Sequence, residues 1–458
     1  MHLTKNQKYQ LCFWAILILS FFTRFYKIHY PKIKYFDEVY HVPAILMISN
    51  NDHEIYEWWH KPVDQAGNYF DWLHPPVAKY IQAGSVRLFG NNPIGWRTPS
   101  AFFGVGVVLI SFIFANYLFK NRYAALYVMA LTSLDGLLLV QSRIAMNDIF
   151  FTLFALASVF AYWQFKRHFV LKDTINWKQY LKKSILISIL LGLSVATKWT
   201  GLFLILALFS FDFVSVFFVL LRSTKKKKFF YSINILLQRL AVFIILPIII
   251  YLASFFQLFV QGKDLNFIWR LHQEIIHYHI TRDTNHAFAS RPINWFLNNK
   301  PVWYWRELIA EKEVNIYAFG NPVLQWMGVV AVLASITGLS FFIILILKKF
   351  LTNKKRKLHN LNKITGKLVK QIYAITGSQV KDLVYLLWCY CWLWLPWVFS
   401  PRIMFYYHYT PAVPLLCMII GWCFVYLQKK NKANSFFLVL MVATITAFIM
   451  SYKMWIGM

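Results

Sequence analysis

Long apolar stretches separated by short polar segments run through the whole chain. A membrane-crossing helix needs about 20 mostly apolar residues. Such stretches recur near 9–28, 98–119, 123–140, 149–165, 184–197, 200–221, 234–256, 323–347, 383–399, 411–427 and 435–452. The pattern predicts an all-α integral membrane fold of eleven spans. Residues 184–221 form one apolar run broken at Lys198-Trp199-Thr200-Gly201. It is too long for a single crossing, so it reads as two short spans with Lys198 at the turn. Two spans also put the basic segments 166–183 and 222–228 on the same side, as the positive-inside rule requires.

Composition supports this reading. Hydrophobic residues make up 59% of the 458 and charged ones only 14%, against about a quarter charged in soluble domains. The net charge of +30 could point to nucleic acid, but its placement does not. The basic runs Lys225 to Lys228, Lys348 to Lys357 and Lys429 to Lys432 lie between apolar spans, the pattern of loops facing anionic lipid. Membrane lipids are therefore the expected partners, and nucleic acid is not. Cys12, Cys389, Cys391, Cys417 and Cys423 all fall in apolar segments without CxxC spacing and read as small core residues. Lys5 and Lys8 precede an apolar run, as in a signal peptide. No small-residue cleavage site follows, so the run reads as an uncleaved first span.

With the N-terminus inside, the segments expected on the cytoplasmic side hold the excess of Lys and Arg and only two acids, Asp173 and Asp382. Residues 1–458 read as one polytopic membrane domain. It has external loops at 29–97 and 257–320, a basic cytoplasmic loop at 348–381 and a C-terminal four-helix region near 323–452. Chemistry is expected on the external face.

Several external groups can carry it. Asp37-Glu38, in YFDEVYH, follows the first span directly, where a carboxylate is costly unless solvated, paired or functional. One of the pair can serve as the base for a hydroxyl nucleophile, or Asp37 can simply cap a helix. In HPPVAKY, His74 precedes a rigid Pro-Pro and then Lys79. His74 can orient a substrate, or sit as an interface histidine. Arg97, Arg143, Lys198 and Arg402 all fall near the outer boundary. Cations there can bind a lipid phosphate or snorkel to headgroups. Asp148 can pair with Arg143, and Asp135 can play a similar structural part. His272, His277 and His279 lie at helical spacing in HQEIIHYH, which reads as an interfacial helix. No HExxH or comparable ligand set is present, so the sequence assigns no cofactor, and a divalent cation stays open as the second reading of these histidines.

Taken together, these segments resemble the protein O-mannosyltransferase family. YFDEVYH resembles its aspartate-glutamate motif, DWLHPPVAK its HPP-x-x-K segment, and GWRTPSAFFGVGVVLI its arginine-bearing second span. SLDGLLLVQSRIAMNDIFF and GLSVATKWTGLF resemble its third-to-fourth span junction and its KWTG turn. RPINWFLNNKPVWYW with FGNPVLQW resembles the second outside loop. SPRIMFYYHYTPAVP, which includes His408, resembles the late PR-x-x-F-x-YHY motif. The seven pieces are collinear over most of the chain.

The resemblance implies a C-type glycosyltransferase fold of eleven spans. It implies an inverting transfer of mannose from a polyprenyl-phosphate mannose donor to Ser or Thr of a protein acceptor. Asp37 would be the base, Glu38 would position donor or acceptor, and Arg97 matches an arginine required for activity. His74, Lys79, Arg143, Asp148, Lys198, Arg402 and His408 are the expected substrate-binding residues. The second outside loop is too short for the β-trefoil MIR domain of eukaryotic members, which points to a bacterial plasma-membrane member. A lipid phosphate is a good leaving group, so a metal is not required. Two other readings stay open. One is a relative that glycosylates a lipid, as aminoarabinose transferases do. The other is a lipid-linked sugar transporter, although the paired repeats of transporters are not evident.

Overall fold

The computed structural model describes residues 3–60, 69–169, 177–221, 237–281, 286–309, 311–352, 377–428 and 434–458. The basic segment 222–228, the middle of 166–183 and most of 348–381 lie outside the described residues.

Helix α1 (Lys5–Phe25) opens on a capping box. Thr4 Oγ1 accepts from the Gln7 N–H at 3.2 Å, and Gln7 Oε1 accepts from the Thr4 N–H at 2.8 Å. This satisfies donors that a helix start otherwise leaves open. Helices α2 (Glu38–Ser49) and α3 (Val77–Phe89) lie in the first long connection. Helix α4 (Pro93–Phe119) is capped by Asn92, whose side chain accepts from Ile94 and Gly95.

The apolar run expected as one span at 123–140 is divided. Helix α5 (Arg122–Ser133) ends, and α6 (Gly136–Gln141) begins at Asp135. Asp135 Oδ1 accepts from the Leu138 N–H at 2.8 Å, and its Oδ2 accepts from Asn321 N–H at 3.2 Å. Asn321 also donates to the carbonyls of Leu134 and Thr444. A short polar side chain that bonds the local backbone in this way competes with the helical ladder.

Next come α7 (Asp148–Phe169), α8 (Trp177–Val195) and α9 (Gly201–Leu221). The chain leaves helix at 196–200, as the Lys198 turn requires. A Cβ on Gly201 would lie 2.6 Å from the Val195 backbone nitrogen, so this turn admits only glycine there. A π-helical turn, Ala241–Ile245, leads into α10 (Leu246–Ala253). The short α11 (Phe256–Val260) and the amphipathic α12 (Leu265–Thr281) follow. On α12, Ile268, Leu271 and Ile275 are buried and fall on one face.

After α13 (Pro292–Leu297) the all-α expectation needs correction. Strands β1 (Val302–Ile309) and β2 (Lys312–Ala318) form an antiparallel hairpin that pairs Val302 with Ala318 and Ile309 with Lys312, with a register shift between Trp303 and Trp305. The aromatic and β-branched residues of VWYWRELI and KEVNIYA suit a pleated, half-buried surface. The chain ends with α14 (Pro322–Thr352), α15 (Gly377–Trp394), α16 (Val413–Gln428) and α17 (Asn434–Ile456). Two 3₁₀ segments, Leu395–Phe399 and Tyr406–Ala412, lie between α15 and α16.

Among the described residues, six helices are long and apolar enough to cross a membrane: Pro93–Phe119, Asp148–Arg167, Pro322–Phe341, Gln379–Phe399, Tyr406–Gln428 and Asn434–Ile456. The last is apolar all round, with Ile449 and Met450 67% and 75% exposed. Such a helix is covered by lipid, and the chain is a multi-pass membrane protein.

The break at Asp135 yields a prediction. A Cβ on Gly136 would lie 2.0 Å from the Trp455 ring. Gly136→Ala should therefore destabilise the detergent-solubilised protein by about 1–3 kcal/mol, the usual cost of overpacking. Trp455→Leu should relieve most of that loss. Thermal unfolding of both single variants and the double variant checks this.

Candidate functional site

Two arginines fix the segment that leads out of α1. Arg143 donates to the carbonyls of Thr23, Arg24, Tyr26 and Lys27, and so satisfies the carbonyls left open at the α1 C-terminus. Arg97, from the first turns of α4, is fully buried. Its Nε and Nη2 grip Glu38 as a bidentate pair, each at 2.8 Å. Its other donors meet the carbonyls of Ile28, Pro31 and Ile33. A guanidinium has five N–H groups, and all five are engaged. Glu38 also accepts from the backbone N–H groups of Ala145 and Tyr35.

The structure therefore redirects three sequence expectations. Arg97 has no N–H left for a lipid phosphate, and Arg143 turns Nη1 and Nη2 to backbone carbonyls; both hold backbone. Arg143 does not pair with Asp148. Glu38 is the anchor of the clamp rather than a group open to substrate.

Asp37 is different. Phe36 just before it takes a left-handed φ of 50°, with its ring stacked on Tyr304 at 3.9 Å. That strained turn starts α2 with Glu38 aimed at Arg97 and leaves Asp37 without a capping hydrogen bond. Burial pushes the Asp37 carboxyl up to about 6; nearby His41 and Lys198 oppose the rise, and Asp148 and Asp71 add to it. The Tyr407 hydroxyl also reaches Asp37.

Around Asp37 the chain gathers polar groups from distant segments. Lys198 Nζ lies 2.6 Å from Asp148 Oδ1 and sits over the Tyr407 ring at 5.2 Å. Arg402 donates from Nη1 to His279 Nδ1 at 2.7 Å, and its Nη2 lies 3.4 Å from His408 Nε2. His408 Nδ1 faces the Phe405 carbonyl at 3.0 Å. Since a carbonyl only accepts, Nδ1 carries the proton and Nε2 presents its lone pair to Arg402. Burial and the adjacent Arg402 push His279 down to about 3, so it too is a neutral acceptor.

Asp71 forms a second hub. Its Oδ1 meets His74 Nδ1 at 2.9 Å and the Leu73 N–H at 3.1 Å. Its Oδ2 lies 3.1 Å from Lys79 Nζ, and 3.0 Å from His41 Nδ1 in an orientation that makes no hydrogen bond. Burial works against the Asp71 carboxylate, but His74, Lys79 and His41 outweigh it and hold it well below the usual range. Lys79 is fully buried and also donates to the carbonyls of Asp71 and His74. It braces this hub and does not face open space.

His41, Asp71 and His74 offer three metal-ligand atoms within 4.8 Å of one another, and no other such group occurs among the described residues. The Lys79 ammonium already gives Asp71 its counter-charge, so the cluster is balanced by its own side chains.

The chemical face thus combines Asp37, Asp71, His74, Lys198, Arg402 and His408. His41, Asp71, Tyr407 and His279 went unassigned as site residues in the sequence, although His41 and Asp71 stand four residues after Asp37 and three before His74.

Residues 14–261 match the dolichyl-phosphate-mannose-protein mannosyltransferase family, and residues 264–458 match the C-terminal four-transmembrane region of protein O-mannosyltransferases. The chain belongs to this mannosyltransferase family. A polyprenol-phosphate-mannose–protein mannosyltransferase of Corynebacterium glutamicum is 25% identical over 309 residues, 57% of this chain and 59% of that protein. One from Mycolicibacterium smegmatis is 27% identical over 343 residues, 63% of this chain and 62% of that protein. The chain thus spans about three-fifths of the length of these relatives.

The fold is similar to that of the Saccharomyces cerevisiae protein O-mannosyltransferase Pmt1-Pmt2 complex bound to the sugar donor. The TM-score is 0.73 at 13% identity, over 100% of this chain and 91% of that one. It is also similar to ArnT of Cupriavidus metallidurans bound to undecaprenyl phosphate, at a TM-score of 0.56 and 13% identity, over 98% of this chain and 65% of that one.

In this mannosyltransferase-family chain the Glu38–Arg97 clamp is structural, and that can be measured. Glu38→Gln or Arg97→Met should each cost about 3–5 kcal/mol by leaving one buried charge unpaired. The double variant Glu38→Leu/Arg97→Met should recover part of it. Thermal unfolding in detergent reads all three.

Proposed function

We propose that this protein is an inverting glycosyltransferase that moves mannose from a polyprenyl-phosphate mannose to Ser or Thr hydroxyls of protein acceptors. The observation that carries the reading is Asp37. It is a half-buried carboxylate at the start of a helix, free of the Arg97 clamp that holds its neighbour, and set among the Lys198 and Arg402 cations. The names of the relatives, and the fold likeness to a donor-bound mannosyltransferase, support the substrate class.

In the proposed step the acceptor oxygen attacks the anomeric carbon while the bond from that carbon to the phosphate oxygen breaks. Asp37 takes the hydroxyl proton, and the polyprenyl phosphate leaves with the electron pair. Lys198 and Arg402 meet the charge that develops on that phosphate. His408 orients Arg402, and the Asp71 hub with His74, Lys79 and His41 shapes the wall beside Asp37. Glu38, Arg97 and Arg143 act by holding the Asp37 segment in place, and Asp148 acts by holding Lys198.

The eleven-span topology, the large first external loop and a catalytic face on the outside of a bacterial plasma membrane complete the proposal. Support comes from the charge pattern and from the meeting of segments that it assigns to one side: Asp37, Asp71, Lys198 and Arg402.

Purified protein with labelled polyprenyl-phosphate mannose and a Ser/Thr-rich peptide tests the activity; transfer to lipid instead of peptide, or no release of polyprenyl phosphate, refutes it. Asp37→Asn should lower turnover by at least about 10², the low end for base catalysis, while donor binding survives. Because the base acts only when ionised, wild-type kcat/KM should fall as pH drops through about 6. An unchanged rate at pH 5 would exclude Asp37 as the base.

A further inference from the structure

Arg402 differs from Lys198, the other cation set beside Asp37. Arg97, Lys79, Lys198 and Arg239 each have a carboxylate within ion-pair distance. Among the described residues Arg402 has none; its polar partners are the rings of His279 and His408, and Trp397 lies beneath it at 5.8 Å. A carboxylate would orient a guanidinium and also neutralise it. A neutral imidazole orients it and leaves the charge available to an anion.

His279 sits on α12, seven residues after His272 and so on the same helix face. His272 Nε2 lies 2.5 Å from the Tyr251 hydroxyl, which accepts from Trp199 Nε1 at 2.9 Å. The His272 ring also stacks on Trp199 at 5.7 Å. Trp199 directly follows Lys198. One face of α12 therefore touches Arg402 itself and the neighbour of Lys198.

We infer that His279 is a positioning residue: through its neutral Nδ1 it aims the Arg402 guanidinium at the donor's phosphate without cancelling its charge. The inference rests on the phosphate role proposed above for Arg402.

The test uses the full-length protein in detergent, with polyprenyl-phosphate mannose and a Ser/Thr peptide, and reads donor KM, peptide KM and kcat separately. Arg402→Ala is the reference. His279→Phe removes the acceptor, His279→Asn keeps a neutral acceptor, and His279→Asp keeps an acceptor but adds a negative charge. Losing a hydrogen bond to a charged group should raise donor KM about tenfold or more in His279→Phe, with peptide KM unmoved, while His279→Asn stays within about threefold of wild type. His279→Asp should be as impaired as His279→Phe, because it quenches the cation.

A purely structural role would not separate Asn from Asp, two side chains of nearly the same shape. Equal donor KM in those two variants overturns the inference, as does a His279→Phe protein with wild-type donor KM. If His279→Phe does not fold, the Asn and Asp pair alone decides. If Arg402→Ala itself leaves donor KM unchanged, the phosphate reading fails. If Arg402→Ala raises donor KM and the His279 variants do not, only the positioning role fails.

Discussion

A charge buried inside a membrane protein must be answered where it stands, and the Glu38–Arg97 pair is the answer around which the site is built. Desolvating two such ions is expensive, and the cost is met only when the geometry is good and the remaining donors and acceptors are satisfied. Here every N–H of Arg97 has a partner, and three of those partners are carbonyls of residues 28–33. The pair therefore fixes a whole segment of backbone. Neighbouring residues at a helix start point about 100° apart. With Glu38 turned into the clamp, Asp37 must turn elsewhere.

The charges on this face fall into a graded series. Glu38 with Arg97, and Asp71 with Lys79, are compensated and hydrogen-bonded, which makes them architecture. Lys198 is paired with Asp148 at 2.6 Å, so a phosphate there shares an ammonium already half answered. Among the described residues of this face, Asp37 and Arg402 form no close ion pair, and they carry opposite signs. The proposed transfer, which generates a proton and a phosphate anion, needs one group of each kind.

Much of this was legible in the sequence, and the limits have physical causes. The apolar pattern placed the six long helices, the charged turn at Lys198 and the helix that carries the histidines, because helix period and burial are local properties. The hairpin at 302–318 was missed, since two short strands inside a tryptophan-rich loop carry no helical signal and little else. The break at Asp135 was missed because its long-range partner, Asn321, is 186 residues away. The acidic pair was found, but which member stays free could not be read: Arg97 is 59 residues from Glu38, and nothing near either residue announces the pairing. Arg143 and Asp148 looked like a pair because they are close in sequence; Lys198, 50 residues further on, is the partner of Asp148.

The two halves of the chain supply complementary parts of the site, which bears on why so much of its lining is aromatic. Asp37, Asp71 and Lys198 come from residues before 261, and His279, Arg402 and His408 from residues after 264. Where the halves meet near Asp37, the seam is made of rings. Phe36 stacks on Tyr304, lies edge-on to Tyr407 at 5.8 Å, and Tyr407 stacks on Phe405 at 5.7 Å. Such a seam excludes water without adding a further charge to balance. Dehydration raises the proton affinity of a carboxylate, and burial beside this seam sets Asp37 near 6, where it can both take a proton and release it. An ionic seam would have joined the halves as well, but it would have pinned Asp37 as firmly as Arg97 pins Glu38.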